Sequence, residues 1–232
     1  YIRRMPSLIR RLAALLPDLI PLRESPPYRR LLLGQGVSYL GSMITAVAFP
    51  YQIWQLTHST VMVGLIGLVE LIPLVALALV GGALADAMDR RRLLLLAESG
   101  LALCTLTLTL LAWHGNPPLW SLYALAAITS GLTGLHRPAL EAIVPRLVRK
   151  ELMPAVASLR GAVGTSCMIG GPALGGWLLV TFGLTATFAI DFLSFVIALG
   201  TIVSLPSITR NKSSSTRKRM GLARNTSCSC PW

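Results

Sequence analysis

Four ionisable side chains lie inside long apolar stretches of this 232-residue chain. An ionisable residue at the centre of a membrane helix costs about 2.5–3.5 kcal/mol on insertion scales, so it needs a partner or a water-filled cavity. At a rise of about 1.5 Å per residue, these four share one depth near the same membrane surface. They are Glu98, Arg137, Glu141 and Arg160. The shared depth predicts a cluster of buried ion pairs, with ion coupling or substrate binding as the alternative.

Two further acids, Glu70 and Asp191, lie nearer the middle of their apolar stretches. No equally deep basic residue is evident beside either of them. A buried carboxylate without a partner tends to stay neutral, and it can then carry a proton across the membrane. Two interpretations remain open for each acid: a proton-coupling site, or a structural acid held by hydrogen bonds.

Small polar residues recur at helical spacing along the first apolar stretch: Gln35, Ser38, Ser42 and Thr45. This spacing places them on one face of a helix. The face is typical of a helix that borders a substrate cavity. A packing stripe is equally compatible, because small polar residues also join helices inside membranes.

Other kinds of site are not indicated. No pair of histidines has metal-site spacing, and no Ser-His-Asp arrangement is evident. We therefore expect no enzyme, no metal and no cofactor. The formal net charge of +12 would suggest nucleic acid in a soluble protein. Here the basic residues sit mainly in short segments between apolar stretches, so we expect no nucleic-acid partner and attribute the charge to membrane topology.

Composition and hydropathy indicate an all-α membrane protein. Hydrophobic residues make up 53% of the chain, charged residues 13%, and the mean hydropathy is +0.65. A spanning helix needs about 20 mostly apolar residues, and six stretches meet this requirement. They are residues 31–54, 61–83, 93–113, 119–143, 154–180 and 184–205. The short connections predict an antiparallel bundle with the lipid bilayer around it.

Basic residues alternate along the connections and predict the orientation. They precede the first helix, separate helices two and three, separate four and five, and follow the sixth, whereas the other three connections contain no Lys or Arg. By the positive-inside rule, both termini are expected in the cytoplasm of a cell with a bacterial-type inner membrane. The predicted organisation is a basic cytoplasmic segment at 1–30, a six-helix bundle at 31–206 and a disordered basic tail at 207–232.

The connection after the second helix carries the most specific pattern. Gly82, Asp86, Arg90 and Arg91 match the Gly-x-x-x-Asp-(Arg/Lys)-x-Gly-(Arg)-(Arg/Lys) signature of the major facilitator superfamily. An acid, Asp89, replaces the usual glycine, which resembles the branch that contains the enterobactin exporter and related efflux proteins. Gly171, Pro172, Gly175 and Gly176 in the fifth helix resemble the Gly-Pro-x-x-Gly-Gly element of drug:proton antiporters. The resemblance runs from about residue 28 to 206.

The resemblance implies a fold and a mechanism. The fold is the N-terminal six-helix half of the superfamily fold. Asp86 is expected to lock the inner gate against the opposite half, supported by Arg90 and Arg91. The helix-five glycines are expected to allow close packing and bending. The implied activity is alternating-access efflux of a small organic molecule, drug-like or siderophore-like, in exchange for protons.

Six helices are half of the superfamily pattern, so two alternatives stay open. The chain is expected either to insert without transporting, as a truncated half, or to pair with a second copy as a homodimer. In a dimer of parallel chains, the two copies mimic the two halves of the full fold.

Topology can be tested with a reporter fused to the C-terminus. We expect it to lie in the cytoplasm, because an even number of spans returns the chain to the side where it began. Paired phosphatase and fluorescent-protein fusions report the side directly. A reporter active outside the cytoplasm would contradict the six-helix arrangement.

Overall fold

The computed structural model describes residues 20–87 and 89–204, and for residues 81–87 it describes the backbone alone. A short helical turn, Ile20–Glu24, precedes four long helices. These are α1 (Pro26–Thr57), α2 (Thr60–Ala87), α3 (Arg90–His114) and α4 (Leu119–Leu147). After a 3-10 turn at Lys150–Leu152, the helical stretch Met153–Val203 has one non-helical residue, Gly183, with φ 79° and ψ 178°. It therefore divides into α5 (153–182) and α6 (184–203).

Each predicted apolar stretch thus coincides with one helix, and the all-α prediction is confirmed. Four helical stretches are long and apolar enough to cross a membrane: Pro26–Thr57, Thr60–Val80, Arg90–His114 and Lys150–Val203. The last one holds both α5 and α6. Helix α4 is equally long but falls outside this group, because its Ser, Thr, Gly and His residues lower its hydropathy.

Helix α1 begins earlier than the sequence predicted, and residues 26–30 belong to it. Ser25 caps the helix by accepting a hydrogen bond from the Tyr28 N–H at 3.4 Å. Pro26 and Pro27 follow at the first helical positions, where a missing N–H costs nothing. The Ser25 hydroxyl also donates to the Leu147 carbonyl oxygen at 2.8 Å, which fastens the start of α1 to the end of α4. The predicted tail at 207–232 and residues 1–19 lie outside the described residues.

Packing joins α1 chiefly to α5 and α6, α2 to α4, and α3 to α4 and the α5–α6 pair. Two large apolar clusters form, one towards each end of the bundle. The cluster at the end where α1 begins includes Tyr28, Leu94 and Ile143. The opposite cluster includes Phe49, Leu108 and Phe188. Within the helices, most buried polar side chains lie between a residue of one cluster and a residue of the other. A polar layer therefore lies inside an otherwise apolar core.

Close approach of α5 to α1 depends on two of the predicted packing glycines. A Cβ added at Gly175 would lie 2.9 Å from the Ile44 carbonyl oxygen, and one at Gly171 would collide with the Met43 side chain. At Gly176 an added Cβ meets nothing within 4 Å of the described residues, so the packing role of this glycine stays a prediction. Pro172 is exposed as well. Pro172 and Gly176 each follow a packing glycine by one position, so the helix rotation directs them away from the α1 contact.

The connection between α2 and α3 is held from its basic side. Asp89 caps α3 by accepting from the Arg91 N–H at 3.1 Å, which gives the acid at this position a structural use. The Arg90 guanidinium donates to the Ala142 carbonyl oxygen at 2.9 Å, and that of Arg91 donates to Val203 at 2.7 Å. Both arginines thereby bind carbonyls near helix C-termini, where a cation is favourable. The side chains at 82 and 86 lie outside the described residues.

The two neighbouring glycines of α5 offer a matched test of this packing. Gly175→Leu is expected to destabilise the bundle by about 1–3 kcal/mol, because the added side chain overlaps the α1 backbone. Gly176→Leu, the control, is expected to change stability by less than about 0.5 kcal/mol, since it adds an apolar side chain in open space. Thermal unfolding of the purified protein in detergent measures both. Equal stability of the two variants would contradict the proposed contact.

Candidate functional site

Two cavities adjoin in the polar layer. The first, of about 300 Å³, lies between α1, α4 and α5, and the second, of about 530 Å³, lies between α1, α2 and α4. Ser42, Thr133 and Arg137 line both of them, so the two cavities share a wall. Together they provide a polar path along the inner face of α1.

Both cavities lie along the predicted polar face of α1. Gln35 and Ser38 line the first cavity, Thr45 lines the second, and Ser42 lines both. Two of the four side chains also bind buried acids, as described below. All four residues therefore border a cavity, and Ser38 and Thr45 also join α1 to neighbouring helices, while a role in substrate binding stays a prediction.

Glu98 in α3 has no exposed side-chain surface. Its Oε1 accepts a hydrogen bond from the Ser38 hydroxyl at 3.1 Å. Its Oε2 lies 2.6 Å from Nε2 of His136, whose side chain is 13% exposed and lines the first cavity. The two atoms are not aligned as a directed hydrogen bond.

The predicted ion-pair cluster needs correction at this point. Arg137, Glu141 and Arg160 do line one cavity, and Glu98 lies directly behind its wall. The ion-pair partner of Glu98 is however His136 rather than either arginine. Among the described residues, Glu141 forms no ion pair with Arg137 or Arg160 within 4.0 Å. Because neighbouring helix positions differ by about 100° in direction, one step along α4 changed the partner.

Asp191 in α6 is 1% exposed and held by hydroxyl groups. The Thr45 hydroxyl donates to Oδ2 at 2.6 Å, and the Ser194 hydroxyl contacts Oδ1 at 3.3 Å. Gly41 leaves the room for this contact, because a Cβ there would collide with the Asp191 and Ser194 side chains. Sequence inspection missed Gly41 and Ser194, although Ser194 lies one helical turn from Asp191. The hydrogen-bonded state of Asp191 fits a structural acid, and a coupling role remains a prediction.

Glu70 occupies a different environment. It is half-buried, lines the second cavity, and its backbone carbonyl accepts from the Ser130 hydroxyl at 2.7 Å. No hydrogen bond to its carboxylate occurs within the described part of the chain. A carboxylate facing a cavity without a partner can bind a cation or a proton there.

A bundle of apolar helices around polar cavities, with acids buried in the wall, fits a membrane protein of the major facilitator type. The chain belongs to the transmembrane secretion effector family, whose model matches residues 17–226. It is 32% identical over 188 residues to the enterobactin exporters of Shigella boydii serotype 4, Citrobacter koseri and Escherichia coli O1:K1. No solved structure gives a significant match.

These alignments cover 81% of this chain and 45% of each relative. The chain therefore spans about half the length of the curated relatives it matches. The predicted resemblance to the superfamily and to its enterobactin-exporter branch is confirmed, and the family is one of transporters rather than of enzymes.

A double-mutant cycle tests the Glu98–His136 pair. Glu98→Leu and His136→Leu are each expected to cost about 1–3 kcal/mol, because each leaves a buried polar partner unsatisfied. The double variant should cost less than the sum by about 0.5–3 kcal/mol. Unfolding of the purified protein in detergent measures all three. The cycle of Glu98→Leu with Arg137→Leu serves as control, and its two effects should be additive. Strong coupling in that cycle would indicate that Glu98 pairs with Arg137.

Proposed function

We propose that the protein belongs to a proton-coupled exporter of small organic molecules that works by alternating access in a bacterial-type inner membrane. The observation that supports this most directly is the pair of adjoining cavities with Glu98 and Asp191 buried behind their common α1 wall. A transporter of this kind needs a substrate site and an ionisable group that senses its occupancy. The names of the matched family and relatives support secretion as the direction.

Proton exchange follows from the nature of the ionisable groups. The Glu98 carboxylate lies beside the His136 imidazole, and His136 borders the first cavity. Asp191 and Glu70 are two further acids of the described bundle that could take up a proton. Coupling to protons needs no binding site for a metal cation, because a carboxylate can gain or lose a proton without a set of coordinating ligands.

A second six-helix body is part of the proposal. In the apolar stretch of α2, only 6% of residues are buried, although α2 carries the Glu70 side of the second cavity. A cavity with a carboxylate in its wall is unfavourable against lipid, so another helical body is expected to cover it. Further residues of a longer polypeptide or a second copy of this chain can provide it.

The α2–α3 connection is proposed as a cytoplasmic gate. Arg90 and Arg91 fasten it to α4 and α6. Such fastening lets the connection move with this helical body as one piece. Gly82 and Asp86 are then expected to face the second body, as the superfamily signature implies.

An efflux assay tests the proposed function. Cells that express the protein are expected to retain less of a fluorescent cationic, anionic or neutral dye, and a protonophore should remove the difference. Glu98→Gln should reduce protonophore-sensitive efflux by about tenfold, equivalent to about 1.4 kcal/mol, because an amide cannot exchange a proton at this site. Asp191→Asn tests the second acid in the same way.

The control for these variants is Glu151→Gln, which removes an exposed acid from the 3-10 turn outside the bundle. Its efflux should equal that of the unchanged protein. Insertion without any efflux would instead favour a non-transporting half. Protonophore-resistant efflux would retain the transporter and reject proton coupling.

A further inference from the structure

Two arginines line the first cavity. Arg137 comes from α4 and Arg160 from α5. Within the described residues, no carboxylate lies within 4.0 Å of either group. Two like charges that share a cavity repel each other, and each is costly at membrane depth. An anion placed between them would remove both penalties.

The remaining ionisable groups do not cancel this charge. Glu141 lines the cavity, one turn beyond Arg137, and contributes one negative charge. Glu98 is already paired with His136. With the two arginines positive and Glu141 negative, the charged lining retains a surplus of positive charge that a ligand can balance.

An independent observation comes from Gln35. Its Nε2 is buried and has no hydrogen-bond acceptor, although the residue lines this cavity. An unsatisfied buried donor is costly, so native structures rarely retain one without water or a ligand. Like the arginines, this group requires an acceptor oxygen from the cavity. The donors thus outnumber the acceptors in the charged part of the site.

The rest of the lining is suited to an organic body. Leu32, Leu101, Val163 and Phe195 supply apolar surface around the charged groups. The volume of about 300 Å³ is at the lower end of small-molecule sites, which extend from about 300 to 1,000 Å³. The adjoining second cavity adds room for a larger molecule.

We propose that Arg137, Arg160 and Gln35 form a binding site for the anionic group of an organic anion, whose apolar part occupies the rest of the cavity. This inference rests on the proposed function, because it names the substrate class of the same transporter. The guanidinium groups bind carboxylate or other oxyanion oxygens, for which their planar donor geometry is well suited. Gln35 donates a further hydrogen bond to the same group.

Benzoate and benzamide have nearly the same size and shape but differ in charge. Comparing their binding therefore tests whether the cavity recognises the negative charge of a ligand. Equilibrium dialysis of radiolabelled benzoate against the purified full chain in detergent measures binding, and unlabelled benzamide serves as competitor. We expect benzamide to compete about tenfold more weakly than unlabelled benzoate, since it cannot form the charged hydrogen bonds. Added salt should weaken benzoate binding because it screens the charges.

Arg137→Gln and Arg160→Gln should each raise the Kd of benzoate about tenfold through loss of a charge-assisted hydrogen bond. Arg146→Gln is the matched control, because it removes the same charge from the end of α4 without touching the cavity. Its Kd should stay within about twofold of the original. If Arg160→Gln does not fold, Arg160→Lys keeps the charge and should bind benzoate with intermediate affinity.

Equal competition by benzamide and benzoate, absence of benzoate binding, or unchanged affinity in both arginine variants would overturn the anion site. The proposed function fails by a different result. Charge-selective binding of benzoate without protonophore-sensitive efflux retains the site and rejects transport. Efflux of neutral dyes without benzoate binding retains transport and rejects the anionic substrate class.

Discussion

Burial of the Glu98 carboxylate is the constraint on which the arrangement of the bundle depends. The side chain has no exposed surface, so its partners must come from neighbouring helices. Ser38 supplies a hydroxyl from α1 and His136 an imidazole from α4. One acid in α3 therefore fixes the rotation of two other helices. Asp191 repeats this arrangement in α6, with Thr45 of α1 as its partner. Helix α1 is common to both sites and is the central element of the described bundle.

The apolar clusters explain why such sites persist in a membrane. Lipid is as apolar as the side chains of the helices, so helices associate through close packing and polar contacts rather than through hydrophobic burial. Leu94 and Phe188 belong to tightly packed clusters towards opposite ends of the bundle. Between those clusters, Gly41, Gly171 and Gly175 bring backbones close enough for short polar side chains to meet. The packing at both ends thus holds the helices at the heights and rotations that let the polar side chains meet.

Most of the fold follows from the sequence, because each membrane helix satisfies its own backbone and needs only a long apolar stretch. The face of α1 was also predictable, since its polar residues repeat at helical spacing. The partner of Glu98 was not, because that choice depends on the rotation of α4. His136 and Arg137 are neighbours in sequence, and about 100° of helix rotation decides which one meets the acid. The same limit explains why Gly175 packs on α1, whereas a Cβ at Gly176 meets none of the described residues. The start of α1 depended on the Ser25 cap, a local feature that hydropathy does not detect.

The shared position of α1 gives a physical basis for coupling. Gln35, Ser38 and Ser42 line the first cavity. On the same helix, Ser38 and Thr45 bind the two buried acids. Ser38 and Thr45 are seven residues apart, which is about two helical turns. A ligand that shifts α1 must therefore change the hydrogen bonds of both acids, and protonation of either acid must change the position that α1 prefers. Coupling between two sites is reciprocal by thermodynamic necessity. Under the proposed function, one helix is then sufficient to link an organic ligand in the cavity to a proton on Glu98 or Asp191, and no longer chain of contacts is required.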